Sequence, residues 1–534
     1  MLRVASRRAP RFLSNVPSRL VHTSPRSQPG RARLIALGVG AGALGVGTLA
    51  VTAYADSETA TPGTSLSSLM RSYLVYTLCA VPPLVNHSPA ILDTCSSIPG
   101  LKELSEAVVR RTFFAQFVGG DSLPDTLPLI SSLRQQNTGT LLVYSVEAEE
   151  GAPGAQWKKN VEEILASVNF AGDFEDTQRG GRKTWVAVKL TALLPSPDAL
   201  KRMSTFLLTS RPKNGVSYPG TPGSTDLLVL RESESAGSFS GLTEDDVKDL
   251  RELYRDLREI CTRAKERGVR ITVDAEHTWY QPGIDAFVLA LSREFNRVSV
   301  SEADKIPTGQ PLVYGTYQTY LRRTPAHIAR ALEDSRKHKY ALGVKLVRGA
   351  YHGQEIAYHN KRLAATGVDS DVEDLPPVWL QKDETDKCFN DCAKSLVEEV
   401  QGSFSSNPNK KSGVGLLFGT HNKESCQHVL NSMVESGLGQ KDTDGRVLVK
   451  SGVEDAICFG QLYGMRDDLT DWIVNSVKSS SPMAFKYLPY GALAEVMPYL
   501  SRRAIENQSV LSGDGGAATE RRRAGELIRK RIFG

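Results

Sequence analysis

Short apolar runs rich in β-branched and aromatic residues recur between residues 140 and 491, and most are separated by segments with helical spacing. Eight runs are long enough for a strand, and they begin at Leu141, Trp185, Arg270, Leu312, Ala341, Gly415, Asp455 and Met483. The helical spacing is clearest over 244–267 and 326–339. Near-continuous apolar strands that alternate with helices are typical of a parallel sheet covered on both faces. Eight such units predict a (β/α)8 barrel of the TIM type.

The segments outside this alternation of strands and helices define the rest of the domain organisation. Residues 56–135 are rich in Leu, Val and Phe, and are predicted to form a helical region ahead of a barrel domain over 136–512. Two insertions interrupt the barrel. Residues 211–241 are crowded with Gly, Pro and Ser and are predicted to form an exposed loop, and residues 364–386 carry many acidic side chains and two prolines. Neither insertion resembles a domain.

The N-terminus has the composition of a targeting segment. Residues 1–55 hold eight arginines and no acidic residue, so the formal net charge of +5 less these eight charges leaves −3 for the rest of the chain. An Arg-rich, Ser-rich and acid-free leader predicts import into mitochondria. Residues 34–53 carry no charge, which fits either an inner-membrane anchor or a removable second part of the presequence. The mildly acidic body gives no reason to expect nucleic-acid binding.

The cysteines and histidines do not predict a metal site. The seven cysteines are irregularly spaced and contain no CxxC pair, which excludes a disulfide framework and a zinc quartet of the usual spacing. His421 has no second His or Cys at ligand spacing, so a hydrogen-bonding role is the better interpretation of this residue.

Polar residues accumulate where the predicted strands end, which is where the active site of a (β/α)8 barrel forms. They are Lys189 on the second strand, Asp274 and Glu276 on the third, Lys345, Arg348, Gly349 and Ala350 on the fifth, Thr420, His421 and Asn422 on the sixth, Gln461 on the seventh and Tyr487 on the eighth. A lysine in an apolar strand needs an anionic partner, and a Lys189–Asp274 pair alone could be a core salt bridge. Six polar strand ends together predict a site. Lys345 and Arg348 could hold a phosphate or the anionic edge of a flavin.

The helix after the eighth strand carries a second polar cluster. Tyr499, Arg502, Arg503 and Glu506 are spaced three and four apart, so they fall within an arc of about 100° on one helix face. Two adjacent guanidiniums suit a small carboxylate. Such a face is usually only solvated when it stands alone. Next to six polar strand ends, it predicts anion binding.

Five motifs carry a resemblance to a known family: VDAEHTWYQP, KLVRGAYHGQE, GTHN, GQLYGM and KYLPYG…PYLSRRAIEN. Together they resemble the FAD-dependent proline dehydrogenases, in particular the mitochondrial, monofunctional, fungal-type members, over about residues 64–508. The resemblance implies a distorted (β/α)8 barrel that binds FAD without a Rossmann domain. It implies oxidation of L-proline to 1-pyrroline-5-carboxylate by hydride transfer to the flavin, with ubiquinone as the electron acceptor. This reaction is the first step of proline catabolism to glutamate. The resemblance also implies a location on the matrix side of the inner mitochondrial membrane.

The resemblance also implies roles for single residues. Lys189, Arg502 and Arg503 would hold the substrate carboxylate. Tyr487, Tyr499 and Leu462 would wall the pyrrolidine ring, and a Tyr at 487 resembles the members specific for proline over hydroxyproline. Asp274 would order the basic cluster, and Lys345 would lie near flavin N5. The other implied cofactor contacts are Arg348, Gly349, Ala350, Thr420, His421, Asn422, Gln461 and Glu506. Gly315 stands where bacterial members place a Gln that contacts the flavin, so we expect that contact to be missing or replaced.

Two other functions remain open at this level. A barrel flavoprotein with another substrate, such as a folate-type reductase, would need a pocket for a large aromatic ligand. A membrane-tethered scaffold without catalysis would need no flavin. The basic tail over 513–534 fits either an anionic membrane surface or a solvated terminal helix.

Overall fold

The structure is a computed structural model that describes residues 65–81, 100–145, 156–212, 215–297, 309–366, 375–405, 413–509 and 517–533, with 83, 85, 87, 97, 98 and 306 between them. The predicted targeting segment over 1–55 and its uncharged run over 34–53 lie outside the described residues. Within the described ranges, no helix is both long enough and apolar enough to cross a bilayer.

Eight parallel strands close into a barrel, which confirms the predicted (β/α)8 architecture. In order around the barrel they are β1 Thr138–Tyr144, β2 Thr184–Val188, β3 Ile271–Val273, β4 Val313–Gln318, β5 Leu342–Val347, β6 Val414–Gly419, β9 Ile457–Leu462 and β11 Ala484–Tyr490, which pairs again with β1. Each of the eight predicted runs overlaps one of these strands. The predicted runs extend beyond the C-terminal ends of the strands. Their polar residues lie in those extensions or within the strands near these ends.

The barrel closes because its strands are buried on both faces. Inside it, Leu141, Trp185, Tyr314, Leu417 and Phe485 belong to one apolar cluster, so the barrel has a filled interior and not a pore. The outward residues of the same strands belong to two larger clusters shared with the surrounding helices. The interior packing leaves space for a ligand only at the C-terminal ends of the strands.

The helices, numbered along the chain, are α1 Leu66–Cys79, α2 Leu101–Val109, α3 Ala115–Phe117, α4 Leu123–Gln135, α5 Gln156–Asp176, α6 Asp198–Ser210, α7 Glu244–Arg267, α8 Gln281–Phe295, α9 Thr324–His338, α10 His352–Thr366, α11 Lys382–Ser405, α12 Lys423–Glu435, α13 Val453–Ala456, α14 Asp467–Ser476, α15 Leu493–Ser509 and α16 Ala517–Phe533. The bounds of α7 follow from local chemistry. The Thr243 hydroxyl accepts from the N–H of Asp246 at 3.1 Å, and Gly268 ends the helix in the left-handed region at φ 65°.

The N-terminal region is helical as predicted, and it packs on the β9–α14 loop. The hydroxyl of Tyr76 in α1 and the side-chain amide of Gln116 both donate to the carbonyl oxygen of Gly464, the latter at 3.0 Å. Gly464 has φ 73°, and a Cβ added there would lie 1.9 Å from the Gln116 carbonyl oxygen. Only glycine therefore permits this close packing.

The C-terminal tail folds back on the N-terminal region. Helix α16 packs against α1, and an added Cβ at Gly525 would lie 3.3 Å from the Tyr73 ring. Glu520 and Ala524 are buried on its inner face, whereas Arg522, Arg529 and other basic residues are exposed. Helix α16 is thus half-buried and not solvated on all sides, and its exposed side keeps the basic residues.

Two local predictions need correction. The insertion over 211–241 is not an exposed loop, because it contains the 3₁₀ helices Ser224–Leu230 and Ala236–Ser238, with Val229 and Phe239 buried in the core. Its few apolar residues are hidden among Gly, Pro and Ser in the sequence.

A small sheet of β7 Gly439–Lys441, β8 Val447–Val449 and β10 Val477–Lys478 was not predicted, because strands of two or three residues are too short to show a period of alternation.

Candidate active site

A cavity of about 1850 Å³ opens at the C-terminal ends of the barrel strands. Sixteen of the residues predicted for the site line it: Lys189, Asp274, Lys345, Arg348, Gly349, Ala350, Thr420, His421, Asn422, Gln461, Leu462, Tyr487, Tyr499, Arg502, Arg503 and Glu506. Glu276, the other carboxylate at the end of the third strand, is not part of the lining. Ligand sites for drug-sized molecules usually occupy about 300–1000 Å³. The cavity therefore has room for a large cofactor and a small substrate together.

Asp274 connects two strands at the floor of the cavity. Its Oδ1 lies 2.5 Å from the ammonium group of Lys345, and its Oδ2 accepts from the Tyr487 hydroxyl at 2.7 Å. The same ammonium lies 4.9 Å from the centre of the Tyr487 ring. Burial raises the pKa of Tyr487 well above its ordinary value, and the Asp274 carboxylate raises it further. The phenol therefore stays protonated and remains a donor to Asp274.

Helix α15 presents its polar face to the cavity, as its spacing predicts. Arg503 is 5% exposed, and its Nη2 donates to Glu506 Oε1 at 2.6 Å. Its guanidinium carbon lies 4.9 Å from the centre of the Tyr499 ring. The Nε of Arg503 is buried and makes no hydrogen bond to the described residues. A buried donor is rarely left in this state, so an acceptor from a ligand fits here.

Arg348 on the opposite wall is held by three side chains. Its Nε, Nη1 and Nη2 bond to Asp386 at 2.7 Å, Thr420 at 2.7 Å and Ser425 at 2.8 Å. This guanidinium is fixed in place and contributes a positive charge to the cavity. The next residue, Gly349, has φ +123°, and a Cβ there would lie 2.5 Å from the Tyr320 ring. The turn after β5 thus requires glycine.

The Thr420–His421–Asn422 triplet directly precedes helix α12. The Asn422 side chain accepts from the Ser425 N–H at 3.0 Å as the N-cap, so the positive end of the helix lies at the cavity. Nε2 of His421 accepts from the Leu462 N–H at 3.0 Å. Burial, together with the positive charge of Lys486, lowers the pKa of His421 to about 3. The imidazole is therefore neutral and acts as a hydrogen-bond acceptor.

Gln461 lines the cavity, but its side-chain amide is already bonded within the protein. Its Nε2 donates to the Thr420 carbonyl oxygen at 3.2 Å, and its Oε1 accepts from the Thr470 hydroxyl at 3.0 Å. The residue supports the wall formed by β6 and β9.

Gly315 does not line the cavity. A Cβ at Gly315 would lie 2.7 Å from Val288 of α8, so a side chain at this position would point outside the barrel and away from the cavity. Thr316 and Gln318 on the same strand line the cavity instead. The Oε1 of Gln318 is buried without a hydrogen-bond partner among the described residues. Sequence reasoning missed Gln318, although strand alternation from Thr316 would have found it.

Arg466 and Tyr76 are among the other lining residues that the sequence analysis missed. Arg466 donates from Nη1 to the His421 carbonyl oxygen at 2.7 Å and bonds Asp468 through Nε at 2.9 Å. Tyr76 reaches the cavity from α1, which lies far away in sequence. Only Arg466 had a sequence signal, since it directly follows the GQLYGM motif. In the part of the chain that the structure describes, no group of three or more His, Cys, Asp or Glu side chains has the arrangement of a metal site.

Comparisons with known proteins agree with this architecture. The family profile described as "Proline dehydrogenase" matches residues 126–513. The chain is 28% identical over 445 residues to a protein named "Hydroxyproline dehydrogenase" from Xenopus laevis, covering 83% of each chain. It is 29% identical over 458 residues to "Proline dehydrogenase 2, mitochondrial" from Arabidopsis thaliana, covering 84% of each.

A solved structure shares the fold. The crystal structure of proline utilization A from Bdellovibrio bacteriovorus, inactivated by N-propargylglycine, superposes with a TM-score of 0.56 at 16% identity. The alignment covers 90% of this chain but only 42% of the bacterial chain. At this identity the likeness is one of fold.

Proposed function

The chain belongs to the proline dehydrogenase family, and from this premise we propose that it oxidises L-proline to 1-pyrroline-5-carboxylate with FAD as the bound cofactor. One observation carries the proposal. A single cavity at the C-terminal end of the barrel combines a basic cluster of Lys189, Arg502 and Arg503 with apolar walls from Tyr487, Tyr499 and Leu462. A small cyclic substrate with one carboxylate fits such a combination.

The residues of the cavity also fit FAD. Arg348 and Lys345 supply positive charge, and the N-terminus of α12 behind Asn422 supplies the positive end of a helix dipole for a phosphate. Two buried polar atoms of lining residues, Gln318 Oε1 and Arg503 Nε, have no partner among the described residues and could bond a polar cofactor. When bound, FAD supplies the two-electron chemistry that amino-acid side chains lack.

The basic cluster would bind the substrate through its carboxylate. Arg502 and Arg503 are adjacent on α15, and Lys189 reaches the same cavity from the end of β2. Arg503 is oriented in advance by Glu506 and by the Tyr499 ring, so little side-chain entropy is lost on binding. Charge-assisted hydrogen bonds from these groups offset the desolvation of the carboxylate.

The aromatic walls would set the position of the ring. Tyr487 is held by Asp274, which in turn is held by Lys345, so the phenol has one orientation. Tyr499 is 3% exposed and packs in the apolar cluster that joins α15 to the N-terminal helices. A ring held between fixed walls with its carboxylate anchored at one edge has a defined reactive carbon, and water is excluded from it.

Hydroxyproline is a second candidate substrate, because several curated relatives carry the name hydroxyproline dehydrogenase. Tyr487 argues for proline, since its ring and its bond to Asp274 take up space and hydrogen-bonding capacity at the wall. The two amino acids can be compared directly in one assay.

We further propose that the protein works at the mitochondrial inner membrane and passes its electrons to ubiquinone. Relatives from Arabidopsis thaliana and Caenorhabditis elegans are named as mitochondrial. Helix α16 lies at the rim of the cavity through Glu520, and its exposed side carries basic residues beside Phe533, which is 82% exposed. A basic helix with an exposed aromatic suits an anionic membrane surface.

The absorbance spectrum of the purified full chain tests the proposal. It is recorded without oxygen before and after addition of L-proline or hydroxyproline. Flavin bands that bleach with L-proline and much less with hydroxyproline would support cofactor, substrate and reaction together. Flavin bands that ignore both amino acids would leave a barrel flavoprotein with another substrate. A chain that takes up no flavin after incubation with FAD would favour the non-catalytic scaffold.

A further inference from the structure

Glu276 is a buried carboxylate at the exit of β3 that the proposed chemistry does not use. It is 3% exposed. Its Oε1 accepts from the backbone N–H of Thr191 at 3.1 Å, and its Oε2 accepts from the Thr191 hydroxyl at 2.5 Å. Both carboxylate oxygens therefore bond to one residue, which lies two positions after Lys189.

These bonds fix the backbone that carries Lys189. On its N-terminal side, the Val188 carbonyl oxygen accepts from the Asp274 N–H at 2.9 Å. On its C-terminal side, the 3₁₀ turn Leu190–Leu193 is held by the Glu276 carboxylate through Thr191. The extended backbone of Lys189 is thus held on both sides by hydrogen bonds to Asp274 and Glu276.

Glu276 is itself held in place from two directions. Its N–H donates to Gln281 Oε1 at 2.9 Å, and its carbonyl oxygen accepts from Gln318 Nε2 at 3.3 Å. Gln281 also bonds Asp285, which forms an ion pair with Arg323 at 2.6 Å. The backbone of Glu276 is consequently fixed, and the carboxylate that bonds Thr191 extends from this fixed point.

We infer that Glu276 is a positioning residue, which holds the Thr191 turn so that the Lys189 ammonium points into the cavity and binds the substrate carboxylate. This inference rests on the proposed function. The two carboxylates of the DAE segment then have different tasks: Asp274 orders Lys345 and Tyr487, and Glu276 orders the β2 exit.

The electrostatic environment agrees with this division. Burial raises the pKa of Glu276, whereas the charge of Lys189 and the bonds from Thr191 lower it, and the net direction is upward. A carboxyl group whose charge is disfavoured interacts more weakly with a nearby ammonium. Glu276 therefore acts through its hydrogen bonds to Thr191 and not through its charge.

The binding of cyclopentanecarboxylate to the flavin-loaded full chain tests the inference, since this ligand has the ring and the carboxylate but no oxidisable amine. Calorimetry would give its Kd for the parent and for three variants. Glu276→Ala should weaken binding about tenfold, because both bonds to the turn are lost. Thr191→Val, which removes one hydroxyl, should weaken it about threefold. Glu276→Gln should remain within about twofold of the parent, because its amide can accept from the N–H and donate to the hydroxyl.

A double-mutant cycle separates positioning from general damage. In a Lys189→Met background, Glu276→Ala should change Kd by less than about twofold, because its effect passes through Lys189. Ser204→Ala is the matched control, since it removes a buried hydroxyl that bonds the Tyr280 carbonyl and the Gly283 N–H away from the cavity lining.

The outcomes are distinct. Equal Kd values for the parent and Glu276→Ala, or full additivity with Lys189→Met, would overturn the inference and leave the proposed function intact. A loss in Ser204→Ala as large as that in Glu276→Ala would also overturn it. A parent chain that binds neither L-proline nor cyclopentanecarboxylate would overturn the proposed function and this inference with it.

Discussion

The Tyr487 hydroxyl donates to the Asp274 carboxylate at 2.7 Å and so connects β11 to the exit of β3, with β1 and β2 between them. This bond crosses the mouth of the barrel. It gives the cavity a wall whose shape depends on residues more than 200 positions apart in sequence. The side chain at position 487 should therefore decide which ring substituents are accepted.

Tyr487→Ser should shift selectivity toward hydroxyproline. The smaller side chain opens space at the wall and leaves Asp274 free to accept from a substrate hydroxyl. The ratio of kcat/KM for hydroxyproline to that for L-proline should rise by about tenfold, which is the scale of a single new hydrogen bond. Steady-state kinetics with both substrates measure this ratio. Identical ratios in variant and parent would remove Tyr487 as the specificity residue.

Arg503→Met should weaken L-proline binding by about 2–5 kcal/mol, the usual cost of truncating one partner of a buried charge pair. The guanidinium is 5% exposed, so water does not replace it easily. The effect should be seen as a raised KM and a raised Kd for cyclopentanecarboxylate. Arg522→Met on the exposed side of α16 is the control and should leave both constants unchanged. An unchanged KM in Arg503→Met would contradict the carboxylate role.

Gly349→Ala should destabilise the fold by about 1–3 kcal/mol, because an L-residue is strained at its φ of +123° and the new methyl would contact the Tyr320 ring. Thermal unfolding followed by circular dichroism measures the change, and flavin retention should fall with it. Gly402→Ala is a control in α11, away from the cavity lining, where an added Cβ meets nothing within 4 Å. Equal Tm values for the two variants would show that the turn after β5 tolerates a side chain.

Docking of α16 should weaken as the pH rises. Burial, helped by the nearby Asp468 and Asp467 and opposed by Arg523, raises the pKa of Glu520 from its ordinary 4.5 to about 8. The folded-state pKa lies above the unfolded one. The contribution of neutral Glu520 is thus complete below about pH 4.5 and is lost as the pH rises through about 8.

Hydrogen exchange of the α16 amides between pH 5 and 9, corrected for intrinsic rates, measures this docking. Asp471, which bonds Arg523 at 3.2 Å, and the Lys486–Asp467 pair at 2.7 Å also face the helix. Burial raises the pKa of Asp471, and the Lys486 charge lowers the pKa of Asp467. Glu520→Gln should retain its protection at pH 9. Equal loss of protection in parent and variant would assign the pH dependence to another group.

The barrel could be predicted from the sequence because each strand is apolar on both faces. The polar residues at the strand ends are easily recognised next to such apolar runs. The face of α15 was readable for a similar reason, since helical geometry alone brings Tyr499 and Arg503 to one side. The same two-sided burial made Gly315 misleading. A strand buried on both faces does not show which of its two faces points inward, so the alternation of Thr316 and Gln318 was overlooked.

What the sequence by itself determined was therefore the order of the elements, the eightfold parallel repeat and the set of polar residues at the cavity, because these depend on periods within single elements. Only the tertiary structure decided which groups meet: Asp274 with Lys345 and Tyr487, Glu276 with Thr191, and α16 with α1. Such pairs join segments 70 to several hundred residues apart. Their geometry is set by the closure of the barrel and by packing between elements, which no local pattern encodes.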